Sequence, residues 1–239
     1  MKTSQLHTYK NNYKLREHQK KLLNILIKKY KKNFNGTVLD IGCAQGTFLQ
    51  HFKKNFPNSE AFGVDTSKEL IAKSQKININ KSAFHTKEIN TNQITFFTKN
   101  FLILNEKYDL VFASGVLGYY DDQLKTIDKM VSLTKKTGAL FIFSHFNTRN
   151  IDTRIRFRNN FNSNKWERGL NSFSIHTIKK HLTSKNLKFK FLKFDVPIKL
   201  KPQKNPIISY TIETKSNNKI CLSGSNLRLE YYYLIIERK

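Results

Sequence analysis

The chain has 239 residues, enough for one sizeable core and short of the length at which two full domains become the default. Its 38% hydrophobic and 13% aromatic content excludes a disordered polymer, and 2 cysteines without CxxC or metal-ligand spacing exclude a disulfide framework and a zinc site. The formal net charge of +26, from 43 Lys and Arg against 17 Asp and Glu, raises an anionic partner such as nucleic acid, but the basic residues are mostly dispersed Lys beside abundant Asn, as compositional bias would leave them.

The first stretch, MKTSQLHTYKNNYK, lacks the apolar run of a signal peptide, and no segment approaches the roughly 18 apolar residues that span a bilayer. A soluble, cytoplasmic protein with no membrane span is the expectation. Residues 15–33 then place Leu15, Leu22, Leu23, Leu26, Ile27 and Tyr30 at helical spacing, which predicts an amphipathic lead-in helix. Strand and helix patterns alternate after it: strands at 37–42, 60–65, 93–100, 108–114 and 138–146, helices at 47–56, 67–75 and 121–136. Such alternation predicts a Rossmann-like α/β fold, a mainly parallel sheet with helices on both faces.

The last third changes character. A helix pattern at 174–186 is followed by strand patterns at 187–196, 207–214, 219–224 and 227–238 with no helix between them, so antiparallel pairing is expected there. The polar stretch 147–172 is too long for an ordinary connection and reads as a lid or binding segment. The whole reads as one elaborated domain: a lead-in at 1–35, a cofactor-binding core at 36–146, a lid or acceptor segment at 147–173, and a helix with antiparallel strands at 174–239.

The first strand runs into VLDIGCAQGTFL (38–49), where Asp40, Gly42, Ala44 and Gly46 alternate with other residues before a helix. Small residues let a ligand approach the backbone, and the helix that follows offers free N–H groups to an anionic part. Ligands in open parallel sheets bind beyond the carboxyl ends of the strands, and Asp65, closing EAFGVD, stands where an acid can take a ribose diol. The dinucleotide pattern GxGxxG does not fit, because the third small residue arrives one position early.

The pattern D-x-G-x-A-x-G resembles motif I of the class I S-adenosylmethionine-dependent methyltransferases, with Ala44 in place of the middle glycine. That resemblance covers residues 15–146 and implies S-adenosylmethionine as cofactor, no metal, and a seven-stranded sheet whose C-terminal strand is antiparallel, here with an added β-hairpin. It implies that Asp65 holds the ribose hydroxyls, that Asn100 stands near the adenine amino group with Phe101 against the ring, and that Ser114 and Gly115 lie beside the methionine part.

In this family the methyl moves by in-line displacement, so the protein supplies alignment, desolvation and, for a hydroxyl acceptor, proton removal. His145, directly after the fifth strand, is the leading candidate base, because imidazole titrates near neutrality; Tyr119 and Asp121 compete with it. Tyr120, Arg154, Trp166, Arg168 and Asn171 are candidate acceptor contacts, since arginine in this segment suits a carboxylate or phosphate. The [DNS]PP[YFW] sequence of amino-methylating nucleic-acid enzymes is absent, with SGVL in its place. That absence favours a small-molecule or sugar acceptor, and the tail has a looser resemblance to methyltransferases of cell-surface polysaccharide pathways. An RNA methyltransferase, supported by the charge, and an inactive methyltransferase-like binding protein are the alternatives.

Overall fold

A computed structural model describes residues 14–83, 94–158, 165–202, 209–216, 218–224 and 227–238. The opening stretch 1–13, residue 93 of the third expected strand, part of the expected lid at 159–164, and residues 207 and 208 lie outside the described residues. Two compact units emerge, interleaved along the chain: residues 1–114, 129–141 and 238–239 in the first, 115–128 and 142–237 in the second.

In the first unit, helix α1 (Glu17–Tyr30) precedes strand β1 (Thr37–Ile41), helix α2 (Thr47–Asn55), strand β2 (Glu60–Asp65), helix α3 (Lys68–Ala83), strand β3 (Ile94–Thr98) and strand β4 (Tyr108–Ser114). Strand β1 lies between β2 and β4 and is parallel to both, while β3 extends the sheet beyond β2, also in parallel. The carboxyl ends of these strands therefore share one edge. Leu22, Leu23 and Leu26 bury the apolar stripe of α1, as the helical spacing requires. The core is strongly aromatic: Phe48 and Phe52 of α2 pack against Phe112 of β4 at ring distances of 5.1 and 5.7 Å. Such contacts add roughly 0.5–1.5 kcal/mol per pair to the burial itself.

Helix α4 (Gln123–Ser132) ends four residues earlier than its sequence pattern suggests, and Thr134–Lys136 belong instead to the 12-residue strand β5 (Thr134–His145). Hydrogen bonds explain the change. The Tyr108 N–H donates to Leu133 O, the Arg238 N–H donates to Gly138 O, and the Arg238 guanidinium donates to the carbonyls of Val131 and Thr134, so the backbone after Ser132 is held open as strand.

The second unit holds strands β6 (Arg156–Phe157) and β7 (Glu167–Arg168), helix α5 (Ile175–Ser184), and strands β8 (Lys188–Phe194), β9 (Tyr210–Glu213), β10 (Lys219–Leu222), β11 (Arg228–Leu229) and β12 (Tyr231–Glu237). Ser174 caps α5, its hydroxyl accepting from the Thr177 N–H. Strand β12 runs antiparallel to β8 through seven paired residues. The main sheet has seven strands in the order β3-β2-β1-β4-β5-β12-β8. The expected hairpin is present as β9 paired with β10, and β11 joins it to make a three-stranded antiparallel sheet, β11-β10-β9. Residues 227–238 form two strands because the chain leaves the extended ladder at Glu230.

Candidate functional site

The turn after β1 is built from left-handed backbone. Gly42, Ala44 and Gly46 have φ of 69°, 50° and 74°. The N–H groups of Gly42 and Cys43 both donate to Val64 O, at 2.8 and 3.1 Å, which folds the turn back onto the end of β2. Gly46 then caps α2, its carbonyl accepting from the Gln50 N–H. A Cβ on Gly46 would collide with the ring of Phe96 on β3, and one on Gly63 would meet Phe96 and the Cys43 sulfur at 2.7 and 2.8 Å. Phe96 is thus a floor under the turn, and both glycines are needed for it to seat there.

Asp65 fastens this turn. Its Oδ2 accepts from the Ala44 N–H at 3.0 Å and its Oδ1 from the Ser67 N–H at 2.8 Å, while Ser67 starts α3 by accepting from the Leu70 N–H. Each carboxylate oxygen has further lone-pair capacity for a ligand hydroxyl. Ala44 sits in a conformation that costs an L-residue on the order of 1–2 kcal/mol. Ala44→Gly is expected to raise stability by roughly 0.5–1 kcal/mol after the entropic cost of glycine, read as an upward shift of the thermal midpoint. A downward shift would refute the strain.

Beneath the turn Asp40 is 4% exposed. Burial first, and the neighbouring Asp65 second, push its pKa up to about 8. The same causes, with Asp40 added, drive the Cys43 thiol well above its ordinary value, so Cys43 is an inert turn residue. Asn100 is exposed at the end of β3 and its Oδ1 accepts from the Leu102 N–H, capping the short turn Phe101–Ile103; Phe101 is 3% exposed. The Ser114 hydroxyl, at the end of β4, lies 2.9 Å from His18 Nε2.

In the second unit, Gly115 has φ of 70° with open space where a Cβ would stand. Asp121 is the hub of a charged cluster: its Oδ1 takes hydrogen bonds from Arg156 Nη2 at 2.8 Å and Asn171 Nδ2 at 3.0 Å, and Arg168 Nε lies 3.3 Å from its Oδ2. The Arg156 hydrogen bond leads the causes that hold the Asp121 carboxyl below the usual range. Arg154 Nε donates to the Asp121 carbonyl. Asn171 is fully buried and acts as a rivet, its Oδ1 accepting from the Ile155 N–H and its Nδ2 donating also to Tyr120 O. Tyr119 is 36% exposed, while Trp166 is 67% exposed with Arg158 over its ring.

His145 is 5% exposed, and burial lowers its pKa. The ring is held by the backbone at Leu170 and Asn171, whereas Nε2 is buried without a partner. Its Cε1 would lie 2.7 Å from a Cβ on Gly118, so that glycine makes room for the imidazole.

Two further residues of the first unit, Phe96 and His18, carry no motif. Phe96 carries no distinguishing signal in ITFFT. His18 does: with Leu22 and Leu26 it stands at i, i+4 and i+8 on the apolar stripe of a lysine-rich helix.

The strand order, the glycine turn and the acid closing β2 define the fold of the class I S-adenosylmethionine-dependent methyltransferases. The family model for the methyltransferase domain matches residues 11–189, and the chain belongs to that family. It is 30% identical over 139 residues to malonyl-[acyl-carrier protein] O-methyltransferase 1 of Ilyobacter polytropus, covering 58% of this chain and 48% of that protein. It is 29% identical over 180 residues to malonyl-[acyl-carrier protein] O-methyltransferase 2 of the same organism, covering 74% of this chain and 64% of that protein. The chain therefore spans about half to two thirds of these relatives' length. In fold it is similar to magnesium protoporphyrin IX methyltransferase from Synechocystis PCC 6803 with bound SAM, at a TM-score of 0.60 and 15% identity over 99% of this chain and 92% of that one. No helix among the described residues is long and apolar enough to cross a membrane.

Proposed function

We propose that this chain uses S-adenosylmethionine to methylate an oxygen of a small acceptor, and that the acceptor oxygen belongs to a carboxylate. The donor half of the reading is carried by one observation: Asp65 clamps the left-handed turn at Ala44 and keeps lone pairs for a ribose diol. The cofactor supplies a methyl group already activated on a sulfonium sulfur, so this chain's residues need to bind, orient and exclude water.

A carboxylate is a nucleophile without losing a proton, whereas a hydroxyl needs a base. The candidate base His145 is sealed, its Nε2 out of contact with solvent. Arginine is what a carboxylate acceptor calls for, and Arg156 and Arg168 already hold one carboxylate, that of Asp121. The relatives are named for O-methylation of a malonyl group, whose free end is a carboxylate. The second reading is a hydroxyl acceptor, a sugar included. It is favoured by His145 Nε2, a ring nitrogen that is buried without a hydrogen-bond partner.

The two readings separate on product and pH. With labelled S-adenosylmethionine, a carboxylate acceptor such as a malonyl thioester gives a methyl ester, released as methanol by mild base; a sugar gives a base-stable ether. On the first reading kcat is flat between about pH 5 and about pH 7, and His145→Gln leaves it within roughly threefold. On the second, kcat rises with pH through a midpoint below the ordinary histidine value, because burial lowers the His145 pKa, and His145→Gln abolishes that limb. Base-stable label on sugars with that limb would overturn the carboxylate assignment.

A further inference from the structure

Helix α1 carries a polar group that neither half of the proposed reaction uses. His18 is half-buried on the stripe shared with Leu22 and Leu26, and its Nε2 lies 2.9 Å from Ser114 Oγ. This bond joins residues 96 positions apart and ties the lead-in helix to the carboxyl edge of the sheet.

The strand register says what Ser114 stands beside. Ile41 pairs with Val64 on one side and Ala113 on the other, so the next residue of each strand lies level with Gly42: Asp65 on the β2 flank, Ser114 on the β4 flank. With neighbouring strands about 4.8 Å apart, these two side chains stand roughly 10 Å from each other across the turn. A donor whose ribose diol rests on Asp65 and which lies across the turn brings its other end over β4. In S-adenosylmethionine the ribose leads through the sulfur to an α-amino acid, so the end over Ser114 is the amino-acid end.

We propose that His18 is a positioning residue for the methyl donor: by hydrogen bonding to Ser114 Oγ it fixes that hydroxyl toward the donor's amino-acid end, so that α1 takes part in donor recognition as well as packing. A serine hydroxyl both donates and accepts, and with one partner assigned to His18 its remaining capacity has a defined direction. Burial, with Arg16 second, lowers the His18 pKa to about 3, so the ring is neutral across the physiological range and the bond persists throughout it. Arg16 is a charged group that acts on His18.

The inference rests on the donor site proposed above, and the test separates the two. Calorimetric titration uses S-adenosylhomocysteine, which has the amino-acid end, and 5′-methylthioadenosine, which keeps the nucleoside and the thioether but lacks it. His18→Ala and Ser114→Ala should each weaken S-adenosylhomocysteine about tenfold and leave 5′-methylthioadenosine within about twofold. The double variant should be no weaker than either single one, because both remove the same bond. His18→Gln, whose amide nitrogen reaches where Nε2 stood, should restore most of the affinity, which a general packing defect would not allow. The weakening should be equal at about pH 5.5 and about pH 8.

Equal weakening of both ligands, additivity in the double variant, or unaltered S-adenosylhomocysteine binding overturns the role of His18. If wild type binds neither ligand, or Asp65→Ala binds both as wild type does, the donor site itself is refuted and the inference falls with it. Wild-type binding that depends on Asp65 but not on His18 refutes the inference alone.

Discussion

Asp65→Ala is expected to weaken S-adenosylhomocysteine at least about 100-fold, beyond the range of an ordinary calorimetric titration, and to remove methyl transfer with it. Two effects act together. A carboxylate that accepts from ligand hydroxyls contributes roughly 1.5–3 kcal/mol per charged hydrogen bond. The same carboxylate also holds the N–H groups of Ala44 and Ser67, and the shape of the proposed donor turn depends on both. Without Asp65 those donors lose their partner, at about 1–3 kcal/mol each, so the variant should also melt earlier. Asp65→Glu keeps the charge but moves it by one methylene, so it should recover part of the stability and little of the affinity. A folded Asp65→Ala protein that binds S-adenosylhomocysteine as wild type does would remove the turn from consideration as the donor site.

The glycine turn after β1 was legible in sequence because its geometry is local. Small residues at Gly42, Ala44 and Gly46 are needed for three left-handed φ values within five residues, and an acid at the end of the next strand is placed by the parallel register. Local patterns also gave the strands β1, β2 and β4, whose short apolar runs are bounded by turn residues. What depends on distant hydrogen bonds was not legible. The end of α4 is set by Arg238, more than 100 residues along the chain from the carbonyls it binds. Asn100 was placed near adenine by resemblance, and nothing in QITFFTKN announces that its oxygen caps the turn that follows. The grouping of Asp121 with Arg156, Arg168 and Asn171 joins segments up to 50 residues apart, and composition alone could only collect the arginines into one stretch. His18 falls between these cases: its helical spacing is visible, its partner Ser114 is not.

Asp40→Asn should stabilise the protein in alkaline solution and do nothing in acid. In the folded protein the Asp40 carboxyl titrates at about 8, against roughly 4 in an unfolded chain, because burial and then Asp65 disfavour its charge. The folded state therefore keeps a proton that the unfolded state releases between these values. Stability is highest below about pH 4, falls as pH rises toward about 8, and is level above it. The wild-type loss over that window is on the order of 5 kcal/mol at 1.36 kcal/mol per pH unit, and an asparagine, which never ionises, removes it. Denaturant midpoints should coincide near about pH 4 and diverge in favour of Asp40→Asn by pH ~8.5; parallel curves across the range would refute a buried, titrating Asp40. The same proton bears on the ligand. S-adenosylmethionine has a positively charged sulfur and its homocysteine product a neutral one, so a negative charge beneath the turn favours donor over product. The wild-type preference for S-adenosylmethionine over S-adenosylhomocysteine should grow as pH rises through about 8, and in Asp40→Asn it should be flat.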